Sequence, residues 1–380
     1  MGGLDQKINL LAVANWPLGG IRTYMKYTYK YLSRDRFNIT ILAQKTAEED
    51  AFKKDAEELR AKVIVVPSQR RLDLWLRLFK ILAKEKVQII QSHGLISAAY
   101  VYLVNFFFRV PHVLTLHGII EERLMGKGLA SFFKRTFLSF LINSVTVLYG
   151  VSHDIIEHFE HALRIKDSVK KVVIHNGIDL EKFKTASGET RSSFRSRYHL
   201  SESIFLIGFV GRFMPQKGFD YLIEAIEILT RENKGNGIQV LAVGSGDYLE
   251  TYKKTINEKE LNEKFLFIPF QRDIIPVYQA VDLIAMPSVW EAYGLQAAEA
   301  IVLGVPIIVS NCIGLREAVK GTPAIMVPPQ NSTILAQAIE EARAAPQKKL
   351  FQEFRKIALT KYDVRQTSVR LAELFESLVG

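Results

Sequence analysis

Glu291 and Glu299 stand eight positions apart in SVWEAYGLQAAEAIVLGVPIIVS, residues 288–310, a stretch that reads as loop, helix, tight turn and strand. Glu291 falls in the loop, Gly294 and Leu295 open the helix, and Glu299 follows one turn further in. Four helical residues rise about 6 Å. The unpaired backbone N–H groups at the helix start suit an anion such as a diphosphate. A carboxylate one turn on accepts hydrogen bonds from hydroxyl groups, and Glu291 faces whatever lies beyond the anion. Taken alone, the stretch also fits a plain surface helix, with Glu291 an acid favoured by the helix dipole and Glu299 a solvated face residue.

Further residues of suitable chemistry lie at the ends of strand-like runs. RFMPQKG (212–218) follows SIFLIGFVG and precedes a helical run, so Arg212 and Lys217 offer two cations beside a helix start. Gly244 and Gly246 form a Gly-Ser-Gly turn after IQVLAV. The dinucleotide fingerprint needs a third glycine where position 249 is Leu, so a nicotinamide site is rejected. Gly19 and Gly20 separate KINLLAVA from the helix 21–33, and backbone without Cβ lets a ligand approach closely. His93 and His117 end the runs VQIIQSHG and VPHVLTLHG. The single cysteine, Cys312, excludes an internal disulfide framework, fits a reducing compartment and reads as a packing residue. No His/Cys cluster has zinc-ligand spacing and no Asp-X-Asp motif is present, so no metal is expected.

The elements that must position these residues alternate between strand-like and helix-like runs throughout, which predicts βαβ units and parallel sheets. In such sheets ligands bind beyond the carboxyl ends of the strands. At 380 residues the chain suits two domains. The boundaries expected are 1–185, 186–360 and a final helical segment 361–380, with a linker near 178–200 whose polar stretch 187–201 reads as loosely structured. The segment after the Asn-Gly turn at 176–177 reads as polar chain. The first twenty residues lack the basic and apolar regions of a signal peptide, and no apolar run reaches the length of about 18 residues needed to span a bilayer.

Charge is uneven. The net charge is +10, and residues 1–180 hold 26 Lys and Arg against 17 Asp and Glu, a balance of +9. A basic half points to an acidic partner: nucleic acid, anionic lipid or a phosphorylated substrate. Nucleic acid is set aside because no nucleic-acid motif accompanies the charge. The segment 68–86 predicts a helix packed on the sheet, with Leu72, Trp75, Leu76, Phe79 and Leu82 on one face and Arg70, Arg71, Arg77, Lys80 and Lys84 elsewhere. The segment 126–144 mixes Phe132, Phe133, Phe137, Phe140 and Leu141 with Lys127, Lys134 and Arg135, a composition that fits the membrane interface.

Together these motifs resemble the retaining glycosyltransferases of family 4 (glycosyl transferases group 1). GFVGRFMPQKGFDYLIEA is similar to that family's arginine–lysine loop, and PSVWEAYGLQAAEAIVLGVPIIVS to its paired-glutamate signature. VIHNGID (173–179) resembles its linker motif and VLTLHG (113–118) its first-domain histidine strand. The resemblance implies an α/β chain of GT-B architecture, two doubly wound Rossmann-like domains facing across a cleft. It implies a nucleotide-sugar donor, with Arg212 and Lys217 on the diphosphate, Gly294 and Leu295 offering N–H groups to phosphate, and Glu299 on the ribose. Glu291 would contact the transferred sugar, Gly20 would approach the diphosphate from the first domain, and His117 would lie near the sugar or acceptor. The final helix would cross back to the first domain.

This chain departs from the family pattern at Ala292-Tyr293, where Gly-Phe is usual, and after VPIIVS, where Gly314 stands without a second glycine. The reaction implied is transfer of a hexosyl unit from a UDP- or GDP-linked sugar to a saccharide or lipid-linked saccharide with retention, without cofactor or metal. The implied setting is cell-surface polysaccharide or lipopolysaccharide assembly, on the inner face of the cytoplasmic membrane. A sugar-nucleotide epimerase of similar architecture and a non-catalytic nucleotide- or lipid-binding scaffold are the alternatives. Nucleotide release that depends on acceptor separates the transferase from both.

Overall fold

Most strands are short aliphatic runs without polar alternation, the pattern of a parallel sheet covered on both faces. In a computed structural model, described for all residues except 1–6, 47–48, 68–70, 121–125, 127 and 185–188, the chain divides into two units. Residues 1–177 with 364–380 form the first and residues 178–363 the second. Arg70 and Lys127, and the side chain of Arg71, lie outside the described residues.

The first unit runs β1 (Ile8–Ala14), α1 (Gly19–Lys30), β2 (Phe37–Gln44), α2 (Glu49–Glu58), β3 (Lys62–Val66), α3 (Arg71–Lys84), β4 (Ile89–His93), α4 (Leu95–Phe108), β5 (His112–Leu116), α5 (Leu129–Ile142), β6 (Val147–Gly150), α6 (His153–Ala162) and β7 (Lys170–Val173). The strands form one parallel sheet in the order β3-β2-β1-β4-β5-β6-β7. The second unit opens with α7 (Leu180–Lys184) and α8 (Arg191–Arg197), then β8 (Phe205–Val210), α9 (Phe219–Arg231), β9 (Ile238–Val243), α10 (Leu249–Glu258), β10 (Phe265–Ile268), α11 (Ile275–Ala280), β11 (Leu283–Met286) and α12 (Leu295–Val302). It continues with β12 (Ile307–Ser310), α13 (Leu315–Ala318), β13 (Ile325–Val327), α14 (Ser332–Ala344) and α15 (Lys348–Lys361). Its sheet has the order β10-β9-β8-β11-β12-β13, again parallel. The last helix, α16 (Val364–Glu376), packs in the first unit against α1, where the Ser368 hydroxyl donates to the Thr28 carbonyl at 2.8 Å.

Both sheets are doubly wound. Strand order reverses between β1 and β4 in the first unit and between β8 and β11 in the second. At such a reversal the loops leave in opposite directions and open a crevice at the carboxyl ends. The Arg212–Lys217 loop leaves β8 there and the loop holding Glu291 leaves β11.

Three sequence expectations are corrected. Of the polar stretch 187–201, the described residues 189–201 are not loosely structured. Thr190 caps α8 by accepting from the Ser193 N–H at 3.2 Å, and Arg195 is fully buried. The Arg195 guanidinium donates to the carbonyls of Ala280, Ser201 and Ile204 and pairs with Asp282 at 2.8 Å. A long polar side chain that satisfies buried carbonyls serves as core here, which composition cannot foretell. The chain after Asn176-Gly177 also forms a short helix, α7, rather than plain coil. In α3 the buried side chains are Leu74, Leu78, Ile81 and Leu82, whereas Leu72 is 67% exposed and Leu76 58%. Two rows of this helix are apolar, so periodicity is degenerate, and packing on α4 selects the other row.

Candidate active site

In the second unit, the β8–α9 loop is held from below by a cluster of phenylalanines. Phe213 is fully buried, with ring centroids 5.7 Å from Phe209 and 5.3 Å from Phe219. Burying each such ring contributes about 1.5–3 kcal/mol, enough to fix the loop. Arg212, beside that anchor, is exposed. Lys217 ends a short 3-10 turn, Pro215–Lys217, and its ammonium lies 2.6 Å from Glu291 Oε1. The Ser288 hydroxyl donates to the same oxygen at 2.9 Å. Glu291 is therefore not a solvated helix-start acid: it is 6% exposed and bridged to the loop after β8. The sequence assigns Lys217 and Glu291 to different parts of a ligand, and the structure makes them one ion pair.

Gly294 is the N-cap of α12 and supplies no side-chain cap. The Ala297 N–H donates to the Gly294 carbonyl at 3.0 Å, which leaves the N–H groups of Leu295 and Gln296 to water or a ligand. Glu299 sits in the middle of α12 and is 8% exposed, so the solvated-face alternative fails for it as well. The Tyr278 hydroxyl donates to its Oε2 at 3.1 Å. Gly314, the glycine retained after β12, is required. A Cβ there would meet the Glu291 carbonyl oxygen at 2.3 Å and that of Ala292 at 2.6 Å. The Glu291 N–H donates to the Ile313 carbonyl at 3.0 Å, so this backbone approach sets the carboxylate's position.

Gly244 and Gly246 have a packing reason of their own. A Cβ at Gly244 would lie 1.9 Å from the Gly211 carbonyl oxygen, and one at Gly246 would lie 2.4 Å from that of Phe213. The two loops are joined by the Phe213 N–H donating to the Ser245 carbonyl at 2.9 Å. Cys312 is buried, and burial followed by the negative charge of Glu291 pushes its thiol up to about 12, consistent with a packing role.

In the first unit, Gly19 and Gly20 belong to the first turn of α1 rather than to the preceding loop, and both are exposed. The N-cap, Leu18, supplies no side-chain cap. Asn15, at the end of β1, is 9% exposed with its Oδ1 unpartnered, while its N–H donates to the Ser97 hydroxyl at 2.9 Å. His117 follows β5 by one residue and is half-buried. Its Nε2 lies 2.9 Å from Nδ1 of His93, and the two rings stack with centroids 5.1 Å apart. Burial pushes the His117 imidazole down to about 3 and holds His93 well below its ordinary value, so both rings are neutral. Tyr24, Tyr29, Gln91 and Tyr149, which the sequence reading passed over, form the buried polar layer beneath them. Gln91 and His93 alternate along a strand buried at every position, and that period-2 polar pair was the available signal.

The aromatic residues of α5 are exposed as expected: Phe132 by 64%, Phe133 by 67% and Phe140 by 55%, with Lys134 and Arg135 between them also exposed. Phe106 and Phe107 on the neighbouring α4 are 66% and 74% exposed. No described helix is long and apolar enough to cross a membrane.

Comparison with known proteins matches residues 191–358 to the family Glycosyl transferases group 1 and residues 18–182 to Glycosyltransferase Family 4. The chain is similar to UDP-Gal:alpha-D-GlcNAc-diphosphoundecaprenol alpha-1,3-galactosyltransferase of Escherichia coli, with 26% identity over 84% of each chain. It is also similar to D-inositol 3-phosphate glycosyltransferase of Corynebacterium efficiens, with 25% identity over 79% of this chain and 78% of that one. Among solved structures, HepE from Anabaena in complex with UDP and glucose superposes with a TM-score of 0.83 at 22% identity, over 97% of this chain and all of the other. WaaG, a glycosyltransferase involved in lipopolysaccharide biosynthesis, superposes with a TM-score of 0.74 at 15% identity, over 97% of this chain and 99% of the other. These structures give the fold as GT-B.

Proposed function

The chain belongs to the glycosyl transferases of group 1, with a family 4 first half, and from that premise we propose that it is a retaining hexosyltransferase. It takes a UDP- or GDP-linked sugar as donor and a saccharide or lipid-linked saccharide as acceptor. The observation that carries the proposal is the Lys217–Glu291 ion pair beside the uncapped start of α12, with Glu299 one turn in. A leaving diphosphate gains charge in the transition state. Arg212, Lys217 and the N–H groups at the start of α12 lie ready for that charge and stabilise it more than the ground state. Glu291, held by Lys217 and Ser288, keeps acceptor capacity for hydroxyls of the sugar, and Glu299 serves the ribose. Gly19 and Gly20 at the uncapped start of α1, and Gly244 with Gly246 behind the Arg212 loop, complete the donor contacts. His117 contacts the sugar or the acceptor. The cations take the charge that a metal would otherwise neutralise, so the reaction proceeds without one.

The galactosyltransferase relative acts, by its name, on an undecaprenol diphosphate sugar. That likeness, the basic first half and the exposed aromatics of α5 support a lipid-linked acceptor met at an anionic membrane face. The setting is peripheral, on the inner face of the cytoplasmic membrane, in assembly of a cell-surface polysaccharide or lipopolysaccharide. Acceptor-dependent release of UDP or GDP from a panel of nucleotide sugars tests the reaction, and anomeric analysis of the product tests retention. Equal release with and without acceptor excludes the transferase, and activity abolished by EDTA and restored by a divalent ion excludes metal independence. Binding to anionic vesicles at low salt, lost on replacing Phe132, Phe133, Lys134 and Arg135 together, tests the membrane surface.

A further inference from the structure

The buried layer under α1 holds a directed chain of hydrogen bonds, and its direction is set by the amide of Gln91. The Tyr149 hydroxyl lies 3.2 Å from the Ile174 carbonyl oxygen. A carbonyl only accepts, so Tyr149 gives its proton there. The Tyr24 ring lies beside that of Tyr149, with centroids 6.3 Å apart. The Tyr24 oxygen accepts from Gln91 Nε2 at 3.4 Å, and Thr115 Oγ1 accepts from the same amide nitrogen at 2.8 Å. Two hydroxyl oxygens on the Nε2 side turn Gln91 Oε1 towards Tyr29, whose hydroxyl donates to it at 2.7 Å. The Tyr29 oxygen is left to accept from His93 Nε2 at 2.8 Å.

A neutral imidazole carries one N–H. With the proton of His93 on Nε2, its Nδ1 is bare and accepts from His117 Nε2 at 2.9 Å. We propose that Tyr29, Gln91 and His93 are positioning residues that hold His117 in the Nε2–H tautomer. Its Nδ1 then becomes a lone-pair acceptor for a substrate hydroxyl at the carboxyl end of β5. A histidine in this tautomer accepts a hydrogen bond from a hydroxyl group and offers it no donor. The site therefore selects an alcohol over a group that only accepts. The role of His117 at the sugar or acceptor rests on the function proposed above; the tautomer does not.

Long-range nitrogen–proton NMR correlation of the histidine-labelled protein tests the tautomer directly. Nδ1 of His117 is expected at the far-downfield position of an unprotonated ring nitrogen, with Nε2 at the protonated position. The His117 signals are assigned by their loss in His117→Asn. Tyr29→Phe removes the acceptor for His93 Nε2–H and frees both rings to reverse. Loss of one hydrogen bond shifts the tautomer ratio at His117 by about five-fold. Gln91→Met, which keeps the length of the side chain, shifts it in the same sense. A His117 protonated on Nδ1 in the unaltered protein overturns the proposal without any variant needing to fold. A ratio unmoved in both folded variants also overturns it. If the tautomer is as stated but His117→Asn releases UDP from UDP-glucose and UDP-galactose, with acceptor, at the unaltered rate, the acceptor role fails together with the site reading beneath it.

Discussion

Replacing Lys217 by Met removes the cation 2.6 Å from Glu291 and leaves the carboxylate among atoms that exclude water. The two side chains are 14% and 8% exposed, so neither charge is well solvated. Removing one partner of a buried pair costs about 3–5 kcal/mol, because the other charge is left uncompensated. Ser288 still donates to Glu291 at 2.9 Å, and a charge-assisted hydrogen bond contributes about 1.5–3 kcal/mol. The expected loss for Lys217→Met is therefore at the lower end, about 3 kcal/mol. Glu291→Gln together with Lys217→Met leaves no buried charge, and about half of that loss should return. Hydrogen exchange of the β11 and α12 amides reads the stability of this region alone, which matters because a two-unit chain need not unfold in one step.

Turnover should behave differently. If Lys217 meets the diphosphate, its loss lowers kcat by about 10²–10³, as for other preorganised electrostatic groups, and Glu291→Gln does not restore it. Recovery of stability without recovery of UDP release is the outcome expected of an ion pair that is also a ligand site. Two results refute the reasoning. Stability effects that add within about 0.5 kcal/mol would mean that the two residues are not coupled. Near-normal UDP release in the Lys217 variant would mean that the pair is purely structural.

Three more expectations follow from buried groups. Arg195→Met leaves the carbonyls of Ala280, Ser201 and Ile204 without their donor. Arg191 still pairs with Asp282 at 2.7 Å, so the loss should be about 3 kcal/mol, at the low end for a broken buried pair; an unchanged melting temperature contradicts this. Burial pushes His112 down to about 3 from an ordinary 6.5. Its folded pKa is the lower one, so the stability it contributes is complete above pH 6.5 and falls as acid protonates the unfolded chain, by about 1.4 kcal/mol per pH unit towards pH 3. His112→Gln should flatten the acid limb of the stability–pH curve between those values, and an identical slope argues against a buried neutral ring. Cys312, pushed up to about 12 by burial and by the charge of Glu291, should resist iodoacetamide at pH 8 in the folded protein and react on unfolding; rapid labelling of the native chain contradicts the packing.

What the sequence could and could not reveal follows from which signals are local. The strands and the loops after β8 and β11 were legible because aliphatic runs, glycines and helix starts are written in consecutive residues. The pairing of Lys217 with Glu291 was not, since it spans 74 positions and depends on which strands lie side by side. The same holds for Arg195: its partners at Ala280 and Asp282 come from another β–α connection, so a run of Ser and Arg gave no local sign that one guanidinium was core. α3 misled for the opposite reason, with two apolar rows competing and only the packed neighbour deciding between them. His117 combines both cases. Its place after a strand is local, but its tautomer depends on a chain of contacts that begins at the Gln91 amide. A residue of the right type at the right strand end is therefore a candidate whose chemistry is still undetermined. In this chain that chemistry is set by residues recruited from α1, β4 and β5, and a substitution at Tyr29 or Gln91 would alter it while every recognisable motif stayed intact.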